Sequence, residues 1–584
     1  MSAPGLLRRR RTAAIAAAAA VGLAVTTASA AVAAPVELQN HHPNRIAVQL
    51  LSFNDYHGHI EPDAPPDSDV MFDGKAVATN GAAYLAAHLR QLRAGHDHSL
   101  TVAAGDLIGG STFTSGVFHD EPSVETLDAM KLDVSGVGNH EFDEGVTELL
   151  RMQNGGCHPV EGCFQKDAAG NDIVYPGAKF QYLAANVVNE KSGKTVLPRF
   201  WVKKLGGAKI GFIGMTLEGT DSLVSPSGVA GWDFRDEVRS GNKAAQVLQR
   251  KHGVKAIVVL IHEGGLQESG YSGCKNISGP IVDIAKRLSH KIDAVVSGHT
   301  HQPYVCNIPD PQGVKRMVTS AMSYGRIVTE TNFNISSKTK DVIRGSVKAT
   351  NHLVTRTVTP SAKVSSIVAK WTALAAGPGN RVVGSIAQDI RRSSDRGVES
   401  SLPNLIADAQ KESTGSQVAF MNPGGVRADL IYSNSPAGEA PGQVTYREAY
   451  NVQPFSNILQ TFSMTGAQID ALLEQQWIAG RPGGRDVLRL GISDGFTYSW
   501  SLSAPYGSKV DPASIKLNGV TVDPAGTYRV TANNFMADGG DSYTALVNGA
   551  PRTGGKVDLD ALIDYMGAHP NLTAPPARRS TQLP

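Results

Sequence analysis

Five short apolar runs in this chain each end on residues able to bind a divalent metal. Ile46 to Phe53 is followed by Asp55 and His57, and Leu100 to Ala104 by Asp106. Val134 to Val137 is followed by Asn139 and His140, Ala256 to Ile261 by His262, and Ile292 to Val296 by His299 and His301. Carboxylates, imidazoles and one amide are a mixture suited to borderline divalent ions. A lone His after a strand is ordinarily structural, but core packing does not explain five strand ends that all deliver ligand types. Asp55-x-His57 and His299-x-His301 have the alternate spacing that lets two side chains leave an extended chain on one side. Asp106 follows a Gly and is expected at the end of a central strand, where its carboxylate could bridge two ions. Two ions about 3.5–4 Å apart hold both the attacking and the leaving oxygen of a phosphoryl displacement. They also make bound water a nucleophile at neutral pH.

A second group of segments lies after residue 390. Asn422-Pro423-Gly424-Gly425-Val426-Arg427 sets an Arg after a tight turn. Gln453-Pro454-Phe455-Ser456-Asn457 sets a Phe in a polar loop, and Asn533-Asn534-Phe535-Met536-Ala537-Asp538-Gly539-Gly540-Asp541 sets another between polar and Gly residues. A loop Phe is usually a packing anchor, yet two among polar neighbours could form a slot for a flat ring. Arginines beside them could grip a carboxylate or phosphate with paired hydrogen bonds. Other features carry less. His59 is expected to support the site or lie at the surface, and His41 and His42 to be bystanders. Gly206 to Gly214 fits no phosphate loop and reads as a turn plus a buried strand.

The elements that must position these residues alternate. Apolar runs are interleaved with helical stretches such as Ala82 to Leu92 and Ile281 to Leu288, which predicts an α/β layered domain with buried strands. Ligands in such sheets collect at the carboxyl ends of strands. The pattern loosens from about 335 to 380, where Val364 to Ala376 could be a helix and Ala376-Gly377-Pro378-Gly379 closes the stretch. The expected division is a signal segment at 1–30, a first domain at 45–345, a linker or hinge at 346–380 and a second α/β domain at 381–570. The Pro-rich end beyond is expected to fray.

The front of the chain has the form of an export signal. Arg8 to Arg11 precede an apolar run from Ala13 to Val25, with Ala28-Ser29-Ala30 or Ala31-Val32-Ala33 as cleavage sites. That run is shorter than the roughly 20 residues that span a bilayer, so no membrane anchor is expected. Four cysteines in an exported chain favour two disulfides, and short loops favour Cys157–Cys163 and Cys274–Cys306. The net charge is +2, and −2 without the four signal arginines, so no nucleic-acid polymer is expected as a required partner.

Asp55-x-His57, Gly105-Asp106, Gly138-Asn139-His140-Glu141, His262 and Gly298-His299-Thr300-His301 resemble, in order, the five motifs of the calcineurin-like metallophosphoesterases. The later segments resemble the C-terminal domain of the 5′-nucleotidase family. The resemblance implies an N-terminal four-layered α/β/β/α sandwich and a C-terminal α/β substrate-binding domain. It implies two divalent ions of the Zn, Mn or Co kind, one held by Asp55, His57, Asp106 and His301, the other by Asp106, Asn139, His262 and His299. His140 would stabilise the transition state or protonate the leaving group, with Asp143 orienting it. Phe455 and Phe535 would sandwich a base, Asp541 would bond ribose, and Asn422, Arg427 and Arg396 would hold ribose or phosphate. The segment Arg396 to Leu405 departs from the usual Asn-Met-Gly-Asn-Leu form, so Arg391 or Arg392 could take the place of Arg396. The implied activity is attack of metal-bound hydroxide on nucleoside 5′-monophosphates by a secreted enzyme. UDP-sugar or dinucleotide pyrophosphohydrolase, 2′,3′-cyclic-nucleotide phosphodiesterase with 3′-nucleotidase activity, and a silent nucleotide-binding surface protein stay open as alternatives.

Overall fold

The computed structural model describes residues 44–584, apart from 66, 225, 456 and 482–484. The expected signal segment, both cleavage sites, and His41 and His42 lie outside the described residues.

Two six-stranded sheets form the centre of the N-terminal domain. One runs Lys348–Leu353, Ile327–Ser336, Arg45–Phe53, Ser99–Ala104, Val134–Gly136, Gln181–Leu183. The other runs Phe200–Leu205, Ala208–Thr216, Ala256–His262, Ala294–Ser297, Lys315–Ser320, Tyr304–Pro309. Arg45–Phe53, Ser99–Ala104 and Val134–Gly136 are mutually parallel, as are Ala208–Thr216, Ala256–His262 and Ala294–Ser297. Leu50, Val102, Val134, Phe212, Val258 and Val296 pack between the sheets. On the outer face of the first sheet, Leu85 and Leu89 of Ala82–Arg93 join Val124, Leu127 and Trp371. On the outer face of the second, Leu248 of Glu237–His252 and Ile284 of Pro280–Arg287 cover Val259 and Ile261. The layers are therefore helix, sheet, sheet, helix. The strands are near-continuous apolar runs because both their faces are buried. All five candidate strand ends lie at one edge of this sandwich.

Helix Ala362–Gly379 belongs to these layers, burying Val364, Trp371 and Ala375. It runs through Gly377-Pro378, where the sequence pattern predicts a close. Pro378 lies in the last turn, so its missing N–H removes one i→i−4 hydrogen bond just before the helix ends. A Cβ on Gly379 would come within 2.4 Å of Phe113, so only glycine fits that contact.

The C-terminal domain is built on a five-stranded sheet in the order Gly491–Ile492, Val418–Met421, Thr527–Asn533, Ile458–Thr465, Thr553–Val557. Ser401–Thr414 and Asp558–Ala568 cover one side, and Phe420, Phe462, Val530 and Tyr543 fill a core on the other. The end of the chain differs from the expectation of fraying. Ser580–Leu583 forms a parallel strand beside Phe496–Ser501. Arg579 makes a two-pronged pair with Asp408 at 2.7 Å, and Glu399 accepts the Ser580 backbone N–H at 3.1 Å. These contacts hold a segment whose Pro content alone suggested a loose tail. Among the described residues no helix is long and apolar enough to cross a membrane.

Cys157 pairs with Cys163 and Cys274 with Cys306. The first loop carries His158 and Glu161 beside His119. Glu144 and Glu161 flank the His119 ring at 2.5 and 3.2 Å, and His158 stacks on it at 3.9 Å. Burial opposes the charge on His119, yet the two carboxylates push it up to about 9. A histidine raised above its unfolded value of about 6.5 stabilises fully below that pH, and the benefit fades as pH rises through about 9. His119→Gln is therefore expected to lower the melting temperature clearly at pH 6 and hardly at all at pH 10. Paired thermal melts check this, and an equal loss at both values would refute it.

Candidate functional site

Asp55, His57 and His301 form one group of candidate ligand atoms lying within 4.8 Å of one another, and Asp106, His262 and His299 form another. His301 Nε2 is 3.2 Å from Asp55 Oδ1, His57 Nε2 is 3.7 Å from Asp106 Oδ2, and His262 Nε2 is 2.8 Å from the same Asp106 oxygen. Asn139 Oδ1 lies 3.1 Å from His299 Nδ1, which brings the amide to the second group. Asp106 stands between the groups, as its position in a central strand suggests.

The local reason for this convergence differs from the sequence reading. Asp55, His57, Asp106, His299 and His301 all have positive φ, between 49° and 70°. The Asp-x-His and His-x-His pairs are thus left-handed turns and not extended chain. Such turns cost about 1–2 kcal/mol per residue, and strain of this kind collects at functional sites. The loops also approach one another closely. A Cβ on Gly105 would lie 2.4 Å from the Gly138 nitrogen, and one on Gly138 would lie 2.2 Å from Asp106 Oδ1. Glu141 ties the two loops together, accepting backbone N–H bonds from Asp106 at 2.9 Å, Leu107 at 2.7 Å and Gly138.

These residues fit metal ions. His57 Nδ1 is bonded to the Gly109 carbonyl and His262 Nδ1 to the Ala104 carbonyl, each at 2.7 Å. That fixes the Nδ1–H form and leaves Nε2 free to ligate. Both Nε2 atoms are buried and make no aligned hydrogen bond. Burial above all, then neighbouring cations, holds His57, His299 and His301 well below the ordinary imidazole range, so they are neutral. Burial also opposes charge on His262, but Asp106 and Asp55 push it up to about 10. A proton there supplies the positive charge that an ion would replace.

His140 is at the rim. Its Nδ1 lies 2.8 Å from Asp143 Oδ2, and its backbone N–H donates to Asp106 Oδ1 at 2.9 Å. Its ring lies nearly parallel to Phe455, with centroids 5.8 Å apart. From here a cavity of about 260 Å³ runs between the domains. Asn139, His140, Asp143 and His299 line it from one domain, and Arg396, Asn422, Arg427, Phe455, Phe535 and Asp541 from the other. Asn422 Nδ2 donates to Asp541 Oδ2 at 2.8 Å, and a Cβ on Gly540 would meet the Phe535 ring at 2.5 Å. Every residue expected at the substrate site lines this one space. Arg391 and Arg392 do not, being paired with Asp389 at 2.7 Å and Asp67 at 3.0 Å. His59 is buried, bonded to Asp63 at 2.6 Å and stacked on Tyr324 at 3.8 Å.

Sequence reasoning missed Arg485. Its charge acts on both His299 and His301. Burial first, then Arg485 and Arg427, holds Arg396 well below the ordinary guanidinium range, while Asp541 opposes. Arg396 and Arg427 line the cavity beside the one carboxylate of Asp541, and this surplus of positive charge suits an anion. A signal was present in the sequence: the run Pro482-Gly483-Gly484-Arg485 resembles Pro423-Gly424-Gly425-Val426-Arg427.

Residues 49–303 match the family model of the calcineurin-like phosphoesterases, and residues 382–548 that of the 5′-nucleotidase C-terminal domain. The chain is 32% identical over 545 residues to Endonuclease YhcR of Bacillus subtilis, which covers 92% of this chain and only 41% of that longer relative. It is 24% identical to the 5′-nucleotidase of Vibrio cholerae, over 94% of this chain and 95% of that one. The crystal structure of a 5′-nucleotidase precursor from Thermus thermophilus superposes with a TM-score of 0.73 at 25% identity, over 92% of this chain and 99% of that one. With both domain models, the strand-end cluster and the inter-domain cavity in agreement, the chain belongs to the 5′-nucleotidase family and is a metal-dependent phosphoester hydrolase.

Proposed function

We propose that the protein releases phosphate from nucleoside 5′-monophosphates, and that its expected signal segment delivers it outside the cell. The observation that carries the reading is the single cavity with Asn139, His140 and His299 at one end and Phe455 and Phe535 among its other walls. A 5′-nucleotide has the same order of parts: phosphate, ribose, flat base.

Asp55, His57, Asp106 and His301 would hold one divalent ion, and Asp106, Asn139, His262 and His299 the other. Bound ions would neutralise phosphate charge and activate water. The chain's own side chains do the rest. Arg396 and Arg427 orient the phosphate by charge-assisted hydrogen bonds. His140, oriented by Asp143, delivers a proton to the departing 5′-oxygen. Asp541 and Asn422 meet the ribose hydroxyls, and Phe455 and Phe535 enclose the base. Residues from both domains are needed at once, so closure around substrate would turn on the short connection that follows helix Ala362–Gly379. A second reading is phosphodiester cleavage, the kind of activity named for the 32%-identical relative.

A phosphate-release panel tests the assignment, with AMP, 3′-AMP, ATP, UDP-glucose and 2′,3′-cyclic AMP under Zn²⁺, Mn²⁺, Co²⁺ or Mg²⁺. AMP is expected to be the best monoester, and release from none of them would leave a silent binder. In the same assay Phe535→Ala is expected to cost AMP about 1–3 kcal/mol in kcat/KM, the worth of one base–aromatic stack. p-Nitrophenyl phosphate, which has no base, should hardly change. Equal losses on both substrates would mean that Phe535 serves folding.

A further inference from the structure

A second concentration of ligand-type side chains lies away from the strand-end cluster, where the Cys157–Cys163 loop meets the segment after Phe113–Gly116. His119, His158 and Glu161 offer ligand atoms that all lie within 4.8 Å of one another. None of the three lines the cavity between the domains. Two imidazoles and a carboxylate are a donor set that suits zinc and the borderline ions near it.

The chain gathers these donors by its own contacts. The disulfide closes the loop that carries both His158 and Glu161. His158 and Gly162 exchange backbone hydrogen bonds across it at 3.0 and 2.9 Å, which sets the turn His158-Pro159-Val160-Glu161. His119 stands opposite, its ring stacked on His158 at 3.9 Å and on Phe164 at 5.6 Å. Its Nδ1 lies 2.5 Å from Glu144, and its Nε2 faces Glu161 at 3.2 Å. A carboxylate at Nδ1 fixes the Nδ1–H form and leaves Nε2 to ligate, the arrangement that orients metal-bound imidazoles. Glu148 is engaged elsewhere, held by Arg151 at 2.7 to 2.9 Å. His158 Nδ1 accepts the Glu161 backbone N–H at 3.1 Å. Ligation by His158 gives up that exposed bond, a small loss because water takes its place.

Charge favours a cation here as well. Glu121, Glu144, Glu148 and Glu161 gather around the guanidinium of Arg151, which pairs with Glu121 and Glu148 at 2.7 Å each. A proton on His119 offsets one of the negative charges left over, and a divalent ion would offset two. Proton and ion compete for the same ring, so the pH-dependent melt expected above belongs to the chain without added metal.

We propose that His119, His158 and Glu161 bind a further divalent ion of the zinc type, separate from the two that Asp106 would bridge. Its role is to brace the N-terminal domain. Glu144 precedes helix Gly145–Asn154, so an ion on His119 ties the disulfide loop to the segment at 119 and to the start of that helix. The site needs no part of the nucleotide reading.

The test counts zinc on the full chain by plasma mass spectrometry after gel filtration, for wild type, His158→Ala and Glu161→Gln. AMP turnover and a thermal melt accompany each count. Wild type is expected to carry one zinc more than either variant and to gain more in melting temperature from added zinc. AMP turnover should be the same in all three, because neither side chain reaches the cavity. Glu161 is exposed and Gln keeps its shape, so that variant stays folded even if loss of the His158 ring disturbs the loop. Equal zinc in all three proteins would overturn the site, and so would a loss confined to one variant. A wild type with two ions and normal AMP turnover would overturn it and leave the nucleotide reading in place. Loss of AMP turnover together with metal in Glu161→Gln would tie that residue to the strand-end cluster and equally overturn it. A wild type that holds the further ion but hydrolyses no AMP would uphold the site and sink the nucleotide reading instead.

Discussion

Asp106→Asn is expected to lose both ions and to reduce AMP hydrolysis by roughly 10³-fold or more, because bound ions supply several kcal/mol of charge stabilisation. The substitution keeps the shape of the side chain and the acceptor for the His140 backbone N–H, which now bonds Oδ1 at 2.9 Å. What it removes is the negative charge standing between the two ligand groups. His262 Nε2 lies 2.8 Å from the altered carboxylate, so that imidazole loses its main reason to stay charged or metal-bound. The measurement is metal content by plasma mass spectrometry beside turnover and a thermal melt. A folded variant that keeps two ions and near-normal turnover would overturn the bridging role. A variant that loses one ion and keeps the other would confine Asp106 to a single group.

The ligand cluster was legible because each member is set locally. A buried parallel strand reads as an apolar run, and its carboxyl end reads as the first polar residues after it. Five such ends in one α/β domain have one edge to go to. What the pattern did not give was how the side chains aim. The alternate spacing of Asp55 with His57 suggested extended chain, whereas both residues are left-handed. Backbone strain is imposed by the packing of neighbouring loops, here the contact of Gly105 with Gly138, and no local signal carries it.

The rest was hidden for the same reason. Ser580–Leu583 finds its partner at Phe496–Ser501, some 80 residues earlier, and its Pro-rich approach looks like a tail until Asp408 and Glu399 are seen to hold it. Arg485 follows no strand end and no aromatic residue directly, and only the folded chain brings its charge to bear on His299 and His301.

His140→Ala separates two roles that the geometry leaves together. Its ring lies against Asp143 at 2.8 Å and its backbone is tied to Asp106, so the side chain can be removed without taking a proposed ligand away. Both ions are therefore expected to stay bound, with kcat for AMP falling by roughly 10²–10⁴-fold, the usual worth of a positioned acid or charge stabiliser. The choice of substrate tells which of these it is. The 5′-oxygen of a nucleoside is a poor leaving group that needs a proton, whereas p-nitrophenolate leaves without one. If His140 is the acid, p-nitrophenyl phosphate should lose far less than AMP. If it stabilises charge on the phosphoryl oxygens, both substrates should fall together. Asp143→Asn should follow the same pattern more weakly, since it changes only how the ring is held and charged. Loss of metal in His140→Ala would move the residue into the ligand shell, and unchanged turnover on both substrates would remove it from the chemistry.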